Sequence, residues 1–165
     1  MIIGILSDTH DRADWMAAGL RILQEHAAEF FIHCGDIGGE ECIDLLAGLP
    51  SAFVFGNTDF DRAGLARYAA SIEVACYGNF ASLELGGKKI AVIHGDDNTL
   101  KQRLLAAADH DYLLQGHTHV RADERIGRTR IINPGALHRA TVKTAALLDT
   151  EKDLLEFVSF AAHKE

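Results

Sequence analysis

The chain has 165 residues, of which 48% are hydrophobic, and it carries a formal net charge of −8 at pH 7. This length predicts a single domain over residues 1–165, and no apolar run approaches the roughly 20 residues needed to span a bilayer. Because the negative charge comes without a basic cluster, we expect no general nucleic-acid binding, although divalent ions can reverse the local sign at a phosphate site.

The sequence moves directly into the apolar run 2–6, without the basic segment and cleavage site of a signal peptide. Its three cysteines (Cys34, Cys42 and Cys76) are an odd number at no metal-binding spacing. This usage favours free thiols in a reducing compartment, so we expect a cytoplasmic protein.

Short apolar runs alternate with helical patterns in the first half of the chain. Strands are predicted at residues 2–6, 30–34 and 52–55, and helices at 14–27 and 39–47. The first helix has an apolar stripe (Met16, Leu20, Leu23 and Ala27) and Asp14 as its expected N-cap. This alternation predicts βαβ units on a parallel sheet.

The second half is dominated by predicted strands joined by short turns. Runs at 72–77, 80–85 and 89–94 predict an antiparallel meander, followed by a helix at 100–109 and a strand at 112–115. Two hairpins are then predicted, one from 121–124 with 129–133 and one from 144–148 with 154–160. The whole pattern predicts two mixed sheets packed face to face with helices outside.

Nearly every predicted core strand ends in a small glycine-containing loop that carries Asp, Asn or His. These loops are residues 8–10, 35–36, 56–59, 94–96 and 116–119. Ligands of open α/β sheets bind outside the carboxyl ends of the strands, so we expect the loops to line one crevice. Oxygen and imidazole donors without a thiolate suit Mn, Fe, Ni, Zn or Mg, and their number suggests two ions that share a carboxylate.

With these motifs in order, the sequence resembles the calcineurin-like metallophosphoesterase superfamily. The superfamily motifs D-x-H, G-D, G-N-x-D/E, H-G and G-H-x-H occur in sequence from Asp8 onward, and the match extends to Gly135. The similarity is greatest to the small single-domain phosphodiesterases of bacteria and archaea. It implies an α/β (α+β) fold, a four-layer αββα sandwich of two mixed sheets flanked by helices.

The resemblance also implies two overlapping sets of metal ligands. One ion would be held by Asp8, His10 and His119, and the other by Asn57, His94 and His117. Asp36 would bridge the two ions. Such a pair clamps a phosphoryl group and acidifies a bridging water to hydroxide. Manganese is the first expectation, with zinc, iron, nickel or magnesium as alternatives, because these ligands accept several metals.

The chain departs from the superfamily pattern at the position after Asn57. Many members have a histidine there that protonates the leaving group, whereas this chain has Thr58. A threonine hydroxyl is too weak an acid for that role at neutral pH, although it can hydrogen-bond a phosphate oxygen. Asp59 matches an acidic position that orients the histidine in relatives. The expected catalytic residues are Asp36, Asn57, Thr58 and Asp59.

A second departure is Asp96, which stands where similar sequences often have another histidine. It would either support the metal ligands or repel an anionic substrate. Asn133-Pro134-Gly135 matches a closing turn of the small members, and Arg139 is a candidate phosphate ligand. The remaining histidines are expected to face solvent or cap helices (His26, His110, His138 and His163), whereas His33 is expected to be a hydrogen-bonded core residue.

Three functions remain open at this point. The first is a binuclear metal-dependent phosphodiesterase, a hydrolase acting on a small phosphate ester, with no membrane partner. The second is a non-catalytic interaction module like the retromer subunit of eukaryotes, which has the same fold. The third is a phosphomonoesterase. The oligomeric state is open too, with a homodimer as one option.

Overall fold

The protein is described by a computed structural model over residues 1–160, so His163 lies outside the described residues. The first half contains β1 (Ile2–Leu6), α1 (Ala13–Glu25), β2 (Phe30–His33), α2 (Glu40–Asp44), β3 (Ser51–Phe53), α3 (Arg62–Ser71) and β4 (Ala75–Cys76). The second half contains β5 (Phe80–Leu85), β6 (Lys88–Ile93), α4 (Asn98–Ala107), β7 (Tyr112–Leu114), β8 (Ala122–Ile126), β9 (Thr129–Asn133), β10 (Lys143–Asp149) and β11 (Leu154–Phe160).

The strands form two mixed sheets, as predicted. The six-stranded sheet has the order β11-β10-β1-β2-β3-β4, and the five-stranded sheet has the order β5-β6-β7-β9-β8. In the first sheet β1, β2, β3 and β4 run parallel, and in the second β6, β7 and β9 do. The predicted hairpins β8–β9 and β10–β11 are both present.

Three apolar layers hold the sandwich together. The central layer packs the inner faces of the two sheets against each other, with Ile5 and Ile32 on one side and Val92 and Leu114 on the other. A second layer joins α1, α2 and α3 to the outer face of the first sheet. The third joins α4 to the outer face of the second sheet. The predicted αββα order is therefore confirmed.

The ends of α1 differ from the sequence prediction. Arg12 occupies the N-cap position, and the Asp14 carboxylate instead pairs with the Arg12 guanidinium at 2.7 Å. Ala27, which was placed on the apolar stripe, lies beyond the end of the helix and is exposed. Its φ of 60° turns the chain towards β2. Met16, Leu20 and Leu23 are buried as predicted.

The predicted three-stranded meander is wrong in its first strand. β4 pairs parallel with β3 in the first sheet, so only β5 and β6 form an antiparallel pair. The connection is α3, a helix that the sequence pattern did not reveal. Asp61 caps it by accepting a hydrogen bond from the Gly64 N–H at 3.0 Å. A helical crossover is what parallel neighbours require.

Among the described residues, no helix has the length and apolar character needed to cross a membrane. All three cysteines are free thiols, and burial raises the pKa of Cys42 to about 12.

Candidate metal centre

The predicted loops meet at one edge of the sandwich, where the parallel strands of both sheets end. Within each sheet, backbone hydrogen bonds join neighbouring loops: the Asp8 N–H donates to the Gly35 carbonyl at 3.0 Å, and the Gly116 N–H to the His94 carbonyl at 2.8 Å. Between the sheets, the His117 N–H donates to Asp8 Oδ2 at 3.1 Å. The crevice expected from the sequence is therefore a single connected set of loops.

The backbone of this edge is unusual at the predicted ligands themselves. Five of the seven have a left-handed φ: Asp8 (57°), His10 (49°), Asp36 (53°), His117 (70°) and His119 (60°). A non-glycine residue in this region costs on the order of 1 kcal/mol and persists where the surroundings impose it, which happens most often at functional sites.

The first predicted ligand set is brought together around Asp8. His119 Nε2 lies 3.1 Å from Asp8 Oδ1, and His10 Nε2 lies 3.4 Å from His119 Nε2. Asp8 is 0% exposed, and its Oδ1 atom has no hydrogen-bond partner among the described residues. An unpartnered carboxylate oxygen in this position is costly unless a cation meets it.

Asp36 lies between the two predicted sets. Its Oδ2 atom is 3.6 Å from His10 Nε2 and 3.3 Å from His94 Nε2, while its Oδ1 atom accepts a hydrogen bond from the Thr58 N–H at 2.8 Å. Burial alone would raise the pKa of Asp36, but the interaction with the His94 ring and the hydrogen bond from the Thr58 N–H outweigh it and hold the pKa well below its usual range. The group is therefore an ionised carboxylate facing both sets.

The second predicted set is centred on Asn57. Its Oδ1 atom lies 3.0 Å from His94 Nε2 and 3.2 Å from His117 Nδ1. The other ring nitrogen of His94 lies 2.8 Å from the Cys34 carbonyl, which fixes Nδ1 as the protonated nitrogen and leaves Nε2 facing the cluster. The ring thus has the orientation that a metal ligand needs.

Two glycines allow the loops to approach this closely. A Cβ atom on Gly56 would lie 2.1 Å from Asp36 Oδ1, and one on Gly116 would lie 1.9 Å from Ser7 Oγ. Any side chain at these positions would push the loops apart. The glycines of the G-N and G-H motifs therefore have a steric role.

The donor atoms present fit divalent cations. The ligand atoms of two groups lie within 4.8 Å of one another: Asp8, His10 and His119 form one group, and Asp8, Asp36 and His94 form the other. The first group is the predicted one. The second contains the predicted bridge and the predicted His94, with the Asn57 amide oxygen alongside. Carboxylate, amide and imidazole donors without thiolate suit Mn, Fe, Ni, Zn or Mg.

Comparison with known proteins agrees with this geometry. The family model of the calcineurin-like phosphoesterase superfamily domain matches residues 1–153. The chain belongs to this superfamily. A phosphodiesterase of Methanocaldococcus jannaschii is 31% identical over 157 residues, which cover 92% of this chain and 95% of the relative. A probable metallophosphoesterase of Bacillus subtilis is 30% identical over 167 residues, covering 93% and 86% of the two chains.

Two solved structures have the same fold. An archaeal phosphodiesterase superimposes with a TM-score of 0.88 at 28% identity, covering 97% of this chain and all (100%) of that one. Vps29 of Entamoeba histolytica, solved in complex with Zn²⁺, superimposes with a TM-score of 0.67 at 20% identity, covering 98% and 100% of the two chains. The second likeness shows the fold alone.

Thr58 and Asp59 differ in their relation to the cluster. The Thr58 hydroxyl lies 3.3 Å from His10 Nδ1. The other ring nitrogen, Nε2, faces Asp36 and His119. The Asp59 carboxylate is 2% exposed and accepts hydrogen bonds from the backbone N–H groups of Gly56 (2.8 Å), Gly38 (2.9 Å) and Ile37 (3.3 Å). It ties the Asp36 loop to the Asn57 loop.

The predictions for the other histidines have different outcomes. His33 is fully buried, with Nε2 2.7 Å from Thr9 Oγ1 and Nδ1 accepting from the Gly35 N–H, as expected of a core residue. His26 caps the end of α1 through the Ile22 carbonyl, at 2.8 Å. His110 is half-buried, with Nε2 2.9 Å from the exposed Ser82 Oγ.

The prediction that His138 faces solvent or caps a helix is wrong. This residue is half-buried, and its ring packs edge-on against the ring of His10 at 6.0 Å between centroids. The reason is its backbone, because the His138 N–H donates to the Asp8 carbonyl at 3.0 Å and draws this loop against the cluster.

Two residues hold the ligand loops in place but were not predicted to do so, or only in part. Arg62, at the start of α3, donates to the carbonyl oxygens of Gly56 at 2.6 Å and Asp59 at 3.1 Å, and so fixes the Asn57 loop. Asn133 donates to the Gly116 carbonyl at 2.8 Å and holds the loop of His117 and His119. The Asn-Pro-Gly motif had predicted a turn over the site, whereas nothing distinguished Arg62 from other surface arginines.

Proposed function

We propose that this protein is a metal-dependent phosphodiesterase with a binuclear centre, using manganese first among the metals that its ligands accept. The observation that carries the proposal is the buried, unpartnered Oδ1 atom of Asp8, around which the histidines of the superfamily motifs converge. No hydrogen bond from the described residues offsets the cost of removing this oxygen from water. A bound cation would offset it.

Each ion would have its own ligand set and share Asp36. The sets are those of the superfamily motifs, with Asp8, His10 and His119 at one ion and Asn57, His94 and His117 at the other. When bound, such a pair of ions withdraws charge from phosphorus and lowers the pKa of a water molecule between them. Neutral imidazole and amide donors leave the centre with a net positive charge, which suits an anionic diester.

The residues of the chain orient the ligands and hold the site in place. The Thr58 hydroxyl contacts His10 Nδ1, and the Cys34 carbonyl binds His94 Nδ1, so both rings present Nε2 to the centre. We propose that Asp59 acts by positioning the two loops that carry Asp36 and Asn57, not by contacting the substrate.

Hydrolysis of bis-p-nitrophenyl phosphate tests the proposal. The protein with added Mn²⁺ or Ni²⁺ should release p-nitrophenol well above the metal-only blank, and chelation should abolish the rate. Elemental analysis should find two ions in the wild type, none in Asp36→Asn and one in His119→Ala. His26→Ala, which changes an exposed helix cap, is the control and should keep both ions. Two ions retained in Asp36→Asn would contradict the assignment.

Two alternatives are distinguished by the same assays. A phosphomonoesterase would prefer p-nitrophenyl phosphate to the diester. A non-catalytic interaction module would show metal-only rates for the wild type and Asp36→Asn alike. The presence of all seven motif ligands in one cluster favours the enzyme over the module. The proposed substrate is a small phosphate ester, without nucleic-acid or membrane partners.

The cytoplasmic location and the homodimer are proposals as well. Buried free thiols at Cys34 and Cys42 support a reducing compartment. Cell fractionation tests the location, and sedimentation equilibrium tests the oligomeric state.

A further inference from the structure

A cavity of about 230 Å³ opens beside the candidate metal centre, and His94 lines it. His94 thus belongs both to the cavity lining and to the cluster, where its Nε2 is directed to Asp36. The cavity is smaller than the roughly 300–1,000 Å³ of sites that hold a whole small molecule. Its size and place fit one substituent of an ester whose phosphate lies at the centre.

One wall of the cavity is fixed by Arg62. Its guanidinium donates to the Asn79 side-chain oxygen at 2.7 Å, in addition to the two loop carbonyls, and lies 6.0 Å from the centre of the Phe55 ring. The oxygen of Asn79 is thereby occupied, which leaves the amide NH₂ group of this lining residue available as a donor. This wall is a preformed surface with a free hydrogen-bond donor.

The lining also includes Asp96 and residues at and after the start of α4. Asp96 is exposed, and within residues 1–160 its carboxylate has neither a hydrogen bond nor an ion pair. The same holds for the guanidinium of Arg103, a lining residue on α4. Asp97 also lines the cavity, but one of its oxygens is engaged in capping the Leu100 N–H. The free groups of this part of the lining are thus one acceptor and one donor.

The charges of the lining balance. Two arginines (Arg62 and Arg103) and two aspartates (Asp96 and Asp97) surround the space. A charged substituent of either sign would meet one pair of like charge and one pair of opposite charge, so these terms offset each other. A neutral group with hydroxyls gains from both, because a hydroxyl donates to a carboxylate and accepts from a guanidinium or an amide.

We propose that this cavity receives one organic substituent of the phosphodiester, and that this substituent is neutral and hydroxylated. The inference rests on the proposed phosphodiesterase function and narrows its substrate class to diesters of sugars, glycerol or similar polyols. Asp96 and Arg103 are the specificity-determining residues.

Calorimetric titration with two symmetrical diesters tests the inference, because either substituent can then occupy the cavity. The Mn²⁺-loaded protein should bind bis(3-hydroxypropyl) phosphate about tenfold more tightly than dipropyl phosphate, as expected for a hydrogen bond to a charged group. Asp96→Ala and Arg103→Ala should each bring the ratio of the two dissociation constants close to one. Lys101→Ala removes a cation from the same helix but outside the cavity lining, and it should keep the ratio.

Three outcomes would overturn the inference. One is equal affinity of the wild type for the two diesters, and another is a ratio that Asp96→Ala and Arg103→Ala leave unchanged. The third is tighter binding of bis(3-aminopropyl) phosphate than of the hydroxyl compound, which would mean a cation subsite. These outcomes differ from failure of the proposed function. In that case the protein would not hydrolyse bis-p-nitrophenyl phosphate, but the ratio of the two affinities would persist.

Discussion

Replacing Asp8 by asparagine should stabilise the metal-free protein while abolishing its stabilisation by metal. Asp8 is 0% exposed, and within residues 1–160 its Oδ1 atom has no hydrogen-bond partner, although His119 Nε2 lies 3.1 Å away. A neutral imidazole does not compensate the carboxylate charge. The asparagine keeps the shape of the side chain and an oxygen for the His117 N–H, but removes the charge.

The expected magnitude follows from the cost of one buried, unsatisfied charged oxygen. That cost is about 1–3 kcal/mol, so the free energy of unfolding of the chelated variant at pH 8 should exceed that of the wild type by a similar amount. Metal at about 1,000 times its dissociation constant should then add about 4.1 kcal/mol to the wild type. The variant should gain far less, so the order of stabilities should reverse on adding metal.

Urea unfolding with EDTA and with Mn²⁺ measures all four free energies. Asp61→Asn is a suitable control, because Asp61 is an exposed helix cap that should respond equally in both conditions. The reasoning would be refuted by a chelated Asp8→Asn protein less stable than the wild type. It would also fail if metal stabilised the variant and the wild type equally.

Three further predictions concern other parts of the molecule. Asp59→Asn should lower the free energy of unfolding measured with urea by about 1–3 kcal/mol, since its NH₂ group would replace an acceptor oxygen that faces a backbone N–H. Asp61→Asn should change it little, because Asn caps a helix about as well as Asp. The hydrogen bond from Arg130 holds the pKa of Asp123 below its usual range, so its stabilisation is present above about pH 4 and is lost as pH falls further. Unfolding between about pH 4 and 2 should therefore show a shallower pH dependence in Asp123→Asn than in the wild type. Because Thr58 cannot protonate a leaving group, diester hydrolysis should slow steeply as the leaving group becomes more basic, and Thr58→His should reduce that dependence in a series of aryl esters. A rate independent of the leaving group in the wild type, with chemistry limiting, would contradict the last expectation.

The sequence predicted those parts of the fold in which local pattern and tertiary contacts agree. The strand from Ile2 to Leu6 and the two late hairpins have apolar patterns that end at clear turns, and the structure has them at nearly the predicted residues. The pairing of β4 was not predictable in the same way. Its two residues carry no register information, and their partner depends on α3, whose apolar face is weak because of its small side chains.

The centre was predictable because the superfamily motifs name its residues. Supporting contacts made by backbone atoms leave no such signal. His138 lies against His10 because its own N–H binds the Asp8 carbonyl, and Arg62 is oriented by carbonyl groups of Gly56 and Asp59. Either residue would look the same in the sequence if it faced solvent. The position of Asp96 beside a cavity likewise depends on how α4 packs near β6.

The energetic costs of the structure are concentrated at the edge where the ligands meet. Five ligands with left-handed backbone conformations represent about 5 kcal/mol if each costs on the order of 1 kcal/mol. The unpartnered oxygen of Asp8 adds a further cost. Since a typical domain is stable by only about 5–15 kcal/mol, these terms are a large fraction of the total. The buried apolar layers of the sandwich offset these costs. The costs arise at the residues that would bind metal. The cations that the ligands would bind recover part of the cost, and this linkage is why metal should raise the stability of the wild type and not that of a variant lacking the Asp8 charge.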